Sequence, residues 1–96
     1  MTKKKDLVRR MAQHLEGISQ RRITQVVDEF MCTVMEALRN REDIYLVGFG
    51  KFGTTDYKAY DKKCPTGETI HIPARTEPTF RFFKTAKTEM FPQEED

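Results

Sequence analysis

Ile44-Tyr45-Leu46-Val47-Gly48-Phe49-Gly50-Lys51-Phe52-Gly53-Thr54-Thr55 is the stretch whose reading settles the fold. Residues 44–47 are β-branched, aromatic or aliphatic, and Lys51 to Thr55 forms a second run with Phe52 and two Thr. Glycines on both sides of Phe49 suit a tight reversal between antiparallel strands. Gly48 to Gly53 also matches G-x-G-x-x-G, with Glu68 downstream where a ribose ligand would stand. That fingerprint works only when its glycines open a helix whose N-terminus holds a pyrophosphate. Here strand-favouring residues follow and no crossover helix does, so the glycines read as a structural turn.

Upstream of the turn the grammar is helical. Leu7, Val8, Met11, Ala12 and Leu15 draw one apolar stripe, with Gly17 as a stop and Ser19 as the next N-cap. Ile23, Val26, Val27, Phe30, Met31, Val34, Met35 and Leu38 draw a longer stripe that ends at Asn40 and Arg41-Glu42-Asp43. The short connection predicts a helical hairpin. Downstream, Ile70 and Ile72 alternate with polar neighbours in a strand over Glu68–Ile72. Phe80 and Phe82 lead into a short helix over residues 84–90, before Pro92. The expected order is ααβββα: an α+β fold in which a helical hairpin precedes an antiparallel three-stranded sheet and a short C-terminal helix.

Residues 56–75 do not fit a compact domain. They hold Tyr57, Tyr60, Ile70 and Ile72 among Asp, Lys, Thr, Gly, Pro and Glu. A long β-ribbon arm with Pro65-Thr66-Gly67 at its tip is the simplest geometry. Such a ribbon cannot bury its own backbone, so it must lie against something else.

Composition narrows the function classes. The 96 residues carry 17 Lys and Arg against 15 Asp and Glu, a net +2. Distribution matters more than the total. Residues 1–43 hold nine bases and seven acids, 44–91 eight and five, and 92–96 only Glu94, Glu95 and Asp96. The chain to Phe91 is therefore +5, followed by a short acidic tail. We expect one domain over residues 1–91 and no further domain. The apolar runs are too short to span a bilayer, and the basic N-terminus lacks the apolar segment of a signal peptide. Two cysteines make no disulfide framework, which suits the cytoplasm.

No constellation supports catalysis. His14, Cys32, Cys64 and His71 lack paired metal-ligand spacing, so neither metal nor cofactor is expected. His14 reads as a surface or interface residue, Cys32 as a small packing residue, and Cys64 as an exposed thiol near the ribbon tip. Ser19 is claimed by a cap, and no carboxylate pair is placed for acid–base work. What remains is charge interleaved with aromatics on the arm: Tyr57, Lys58, Tyr60, Lys62, Lys63, Pro65 and Arg75, with Arg81, Lys84 and Lys87 beyond. Spaced bases on an extended arm can track a phosphate backbone, although Asp56, Asp61, Glu68 and Glu77 dilute them.

Together these segments resemble the bacterial HU/integration host factor family of histone-like DNA-binding proteins. The resemblance runs from about Lys3 to Met90 and rests on Gly48-Phe49-Gly50-Lys51-Phe52, Pro65-Thr66-Gly67-Glu68, Ile70-His71-Ile72-Pro73-Ala74 and Pro78-Thr79-Phe80-Arg81. It implies an intertwined dimer, with an identical or a related chain, whose two arms embrace double-stranded DNA in the minor groove and bend it with little sequence preference. It also implies a nucleoid-associated, non-enzymatic role. The resemblance implies phosphate contacts from the backbone at Gly48 and Gly50, and Lys4, Arg81, Lys84 and Lys87 match phosphate-contact positions; Lys51 and the arm's bases Lys58, Lys62, Lys63 and Arg75 are further candidate DNA contacts.

The departures are specific. Relatives usually carry Arg-Asn-Pro-x-Thr-Gly at the tip, whereas this chain has Lys63-Cys64-Pro65-Thr66-Gly67, one residue fewer. Either Pro65 keeps the intercalating wedge role, or Cys64 occupies that position. Family arms are rich in Arg where this chain has Thr55, Tyr57 and Tyr60, so weaker and less salt-sensitive DNA binding is expected. Phe82-Phe83 replaces the usual Pro-Gly before the last helix. An alternative is a protein-interaction dimer of the same fold with weakened DNA binding. A third reading, a single-strand binder stacking bases on Tyr57 and Tyr60, has less support.

Overall fold

Helix α1 covers Lys4–His14 and α2 covers Gln20–Arg39 in the computed structural model, which describes residues 1–92. The Asp6 carboxylate accepts the Lys3 backbone N–H at 2.9 Å, satisfying a free donor at the start of α1. Ser19 Oγ accepts the Arg22 N–H at 3.1 Å, the N-cap expected for α2. Helix α1 ends at His14, so Leu15 is its C-cap rather than part of the helix, and Gly17 takes φ +78° in the connection.

Residues 1–36 form one compact unit, and a second begins at Ala37. Within the first, Val8 and Ile23 are buried, at 2% and 3% exposure. The rest of both stripes is not. Val26 is 60% exposed, Met35 55% and Phe30 48%. An apolar cleft of about 590 Å³ lies between Met11, Leu15, Ile18, Ile23 and Val26. Cys32, expected to pack, is exposed because it lies off the apolar stripe of α2. His14 is exposed as well.

The second unit opens on the end of α2, closed by a Schellman motif. Glu42 N–H donates to Ala37 C=O at 3.0 Å, and Arg41 N–H donates to Leu38 C=O at 3.0 Å. Arg41 therefore occupies the left-handed position, φ +62°, that glycine usually takes. It is the only non-glycine with positive φ among the described residues. That conformation costs an L-residue about 1–2 kcal/mol.

Strands β1 (Ile44–Leu46), β2 (Gly50–Tyr57) and β5 (Arg75–Phe82) form a three-stranded antiparallel sheet in the order β1-β2-β5. The turn between β1 and β2 is closed by Phe49 N–H donating to Leu46 C=O at 2.9 Å. Gly48, φ +78°, supplies the positive φ that a type II turn needs at its third residue. Residues on one face alternate with those on the other. On one face Phe80 packs against Phe52, Phe82 and Phe49 with ring centroids 4.6, 4.7 and 5.6 Å away. Gly50 is buried beside this cluster, since a Cβ there would come within 2.8 Å of the Phe80 ring.

The sheet corrects one expectation. Its third strand is not the Ile70–Ile72 segment but the eight-residue β5, which pairs with β2 from Gly50↔Phe82 to Tyr57↔Arg75. Pro78 is accommodated because β5 lies at a sheet edge. Residues 60–72 form a separate hairpin, β3 (Tyr60–Lys63) with β4 (Thr69–Ile72), from Tyr60↔Ile72 to Lys63↔Thr69. The order is therefore two helices, five strands and a helix. The same register continues across the gap, which sets Lys58-Ala59 against Pro73-Ala74. Pro73 has no N–H to give, so the ladder is interrupted there and resumes in register. Helix α3 spans Lys84–Met90, as expected, with Ala86 buried. The acidic residues 94–96 lie outside the described residues.

Candidate nucleic-acid interface

The hairpin tip is tightly specified. Gly67 N–H donates to Cys64 C=O at 2.9 Å, and Cys64 N–H donates to Glu68 C=O at 2.8 Å. Pro65 is the second residue of this turn, where its fixed φ is favoured, and Gly67 is left-handed at φ +91°. This is the three-residue hairpin loop built from a turn followed by a left-handed glycine. Pro65 is exposed at the tip, whereas Cys64, expected to be exposed, is half-buried where the strands close.

On the arm, Tyr60, Lys62, Ile70 and Ile72 share one face and Asp61, Lys63, Thr69 and His71 the other. His71 Nδ1 lies 2.9 Å from Asp61 Oδ1 across the strands. At the arm's root Arg75 is held twice. Its Nε–H donates to Glu77 at 2.8 Å, and its guanidinium lies 4.3 Å from the Tyr57 ring centroid. One face of Tyr57 is thereby occupied, which weakens the base-stacking reading. Asp56 accepts from Thr76 Oγ1 at 2.6 Å and from Arg41. Thr76 first, then Arg41, holds the Asp56 carboxyl below its ordinary range. A depressed pKa means that these contacts contribute fully above the ordinary aspartate range. Their contribution is lost only as pH falls through the lower folded value.

On the sheet, Lys51 pairs in register with Arg81, on the face opposite the phenylalanines. Lys51 Nζ lies 5.0 Å from the Tyr45 ring centroid and 3.7 Å from Asp43. Tyr45, then Asp43, raises its pKa, so it stays an ammonium. A polar groove of about 450 Å³ lies between Asp43, Lys51, Thr79 and Arg81. Phe83 stacks on Tyr45 at 6.3 Å between centroids, and its N–H donates to Phe49 C=O.

The expected bases thus fall into two groups. Lys4 is engaged by Asp28 at 2.8 Å, Lys51 by Asp43 and Arg75 by Glu77. Lys58, Lys62, Lys63, Arg81, Lys84 and Lys87 are exposed and in no ion pair among the described residues. Of the two turn glycines, Gly48 is exposed and Gly50 is buried. Sequence reasoning missed Arg41; the signal there was an arginine three residues past Leu38, the last apolar position of α2. Among the described residues no three His, Cys, Asp or Glu side chains cluster as a metal site, and no helix is long and apolar enough to cross a membrane.

Known proteins share this arrangement. The pattern of the family described as "Bacterial DNA-binding protein" matches residues 1–90. DNA-binding protein HU 1 of Bacillus subtilis is 36% identical over 85 residues, covering 88% of this chain and 91% of that protein. Integration host factor subunit alpha of Hahella chejuensis is 38% identical over 79 residues, covering 81% and 78%. The HU chain of an Anabaena HU–DNA cocrystal structure superposes with a TM-score of 0.80 at 28% identity, covering 96% of this chain and all of that one. With its turn glycines, proline-tipped hairpin and whole-length matches, the chain belongs to the bacterial DNA-binding protein family of HU and integration host factor.

Proposed function

We propose that this chain is a non-enzymatic architectural protein that binds double-stranded DNA in the minor groove through its β-ribbon arm and bends it, with little sequence preference. The observation that carries the reading is the arm itself: an in-register hairpin with Lys58, Lys62 and Lys63 exposed and in no ion pair among the described residues, and Pro65 at its tip. The bases neutralise phosphates and release counterions, a contribution independent of sequence. Pro65 enters a base step; unstacking costs a few kcal/mol, offset by phosphate contacts along the bent flanks. Arg81, Lys84, Lys87 and the exposed Gly48 turn extend the contact, while the buried Gly50 serves packing. Lys4, Lys51 and Arg75 join when phosphate displaces their carboxylates.

The working unit is a dimer, of identical or related chains, with an arm from each. Exposed Val26, Phe30 and Met35 on α2 and the half-covered phenylalanine face are the surfaces a partner would bury. Residues 1–91 act as one DNA-binding domain followed by the acidic tail, in the cytoplasm and on the nucleoid. A protein-interaction role with weakened DNA binding is the second reading, favoured by the carboxylates that hold Lys4, Lys51 and Arg75.

Titrating linear, nicked and pre-bent duplexes across a salt series tests the proposal. Binding should favour the nicked and bent forms, and affinity should fall as salt rises, by about 0.9 log units per log unit of salt for each phosphate contacted. No complex at low salt, together with a protein partner recovered after nuclease treatment, would establish the second reading instead. Pro65→Ala should reduce the bend angle, measured by energy transfer between labelled duplex ends, more than it reduces affinity. An unchanged angle would remove Pro65 from the wedge role.

A further inference from the structure

Arg41 stands where glycine would be easier. Its φ of +62° closes the Schellman motif after α2, and every backbone bond of that motif is open to glycine too. What glycine would lose is the side chain. The Arg41 guanidinium bonds Asp56 Oδ1, and the same oxygen accepts Thr76 Oγ1 at 2.6 Å. Asp56 and Thr76 are register partners on β2 and β5, one pair before the ladder ends at Tyr57↔Arg75. Beyond that pair the strands are unpaired at Lys58-Ala59 and Pro73-Ala74. The three side chains therefore join the end of α2 to both strands of the arm at its root, next to the place where the ladder is weakest.

We propose that Arg41 is a positioning residue: with Asp56 and Thr76 it latches the root of the arm to the turn after α2, limiting how far the arm swings about the 58–59/73–74 interruption. Its value for DNA bending rests on the DNA-binding reading above; the latch itself does not. All three groups are solvent-exposed, so the latch does little for global stability and acts on local opening.

The test exploits charge. Arg41→Gly removes a positive charge, Asp56→Asn removes a negative one, and Thr76→Val changes none. If net charge alone mattered, the first would weaken DNA binding, the second would strengthen it and the third would do nothing. The latch predicts one shared effect. In the free protein, amide hydrogen exchange at residues 55–57 and 75–77 should quicken in all three variants, by about three- to tenfold, as the root opens more often. Arg41→Lys, which keeps a cation, should recover part of the protection. Thermal unfolding of Arg41→Gly should be unchanged or raised, because glycine relieves the left-handed strain. In the DNA complex, the distribution of bend angles should broaden for both Arg41→Gly and Asp56→Asn. Wild-type exchange rates in Arg41→Gly and Thr76→Val would overturn the latch. Altered exchange in a protein that binds no duplex would keep the latch and overturn the DNA-binding reading alone. Opposite shifts in affinity with unaltered exchange would reduce Arg41 and Asp56 to plain charges.

Discussion

Gly50→Ala should destabilise the protein by about 2–3 kcal/mol, the cost of overpacking a filled site, and lower its midpoint of thermal unfolding by roughly 10–20 °C. A Cβ at this position would lie 2.7 Å from the Arg81 carbonyl oxygen and 2.7 Å from the tip of the Phe80 ring. Neither neighbour gives way easily. Arg81 is in the β2–β5 ladder opposite Lys51, and the Phe80 ring is hemmed in by Phe49, Phe52 and Phe82. Gly53→Ala is the matched control in the same strand. Its Cβ would meet Asp43 Oδ1 at 3.1 Å, the end of a side chain that can rotate aside. Thermal unfolding of the two variants side by side should show a large loss for Gly50→Ala and a small one for Gly53→Ala. Equal small losses would show that the sheet yields and that Gly50 is no packing requirement.

The second large effect concerns binding. Lys62→Ala combined with Lys63→Ala should weaken duplex affinity by about a hundredfold at low salt and shrink the slope of log affinity against log salt by about 2–4. Both ammonium groups are exposed and in no ion pair among the described residues, so each is offered to a phosphate in each arm of a dimer. Lys51→Ala should do less, because Asp43 already offsets that charge. Fluorescence anisotropy of a labelled duplex across a salt series measures both quantities. A loss of affinity with an unchanged slope would mean that the two lysines shape the arm rather than contact phosphate.

Much of the architecture was legible because it is local. The α2 stripe, the Ser19 cap and the Pro65-Thr66-Gly67 tip each depend on residues within a few positions of one another. The turn at Gly48 is local too, since it depends on a φ that only glycine adopts freely. The long β5 strand was not legible. Arg75 reads as the end of the arm and Thr76-Glu77-Pro78 carries no strand signal of its own; the segment becomes strand because β2 offers an eight-residue ladder to pair with. Strand propensity gives way to context in this way wherever a partner strand is distant in sequence.

The site divides along the same line. The sequence by itself determined the inventory: a basic arm, a proline near its tip, and a glycine-phenylalanine turn belonging to a family that binds DNA. It could also show that acids dilute those bases, but not which base each acid engages. Only the tertiary structure decided that Glu77 engages Arg75, Asp43 engages Lys51, and Asp56 engages Arg41 from fifteen residues away. Likewise it left Lys58, Lys62 and Lys63 without an ion pair among the described residues and placed Gly50 under an aromatic ring. The reason is physical. Turn and helix signals are short-range steric preferences, whereas an ion pair or a ring contact depends on strand register, which is set by pairing between segments far apart in the chain.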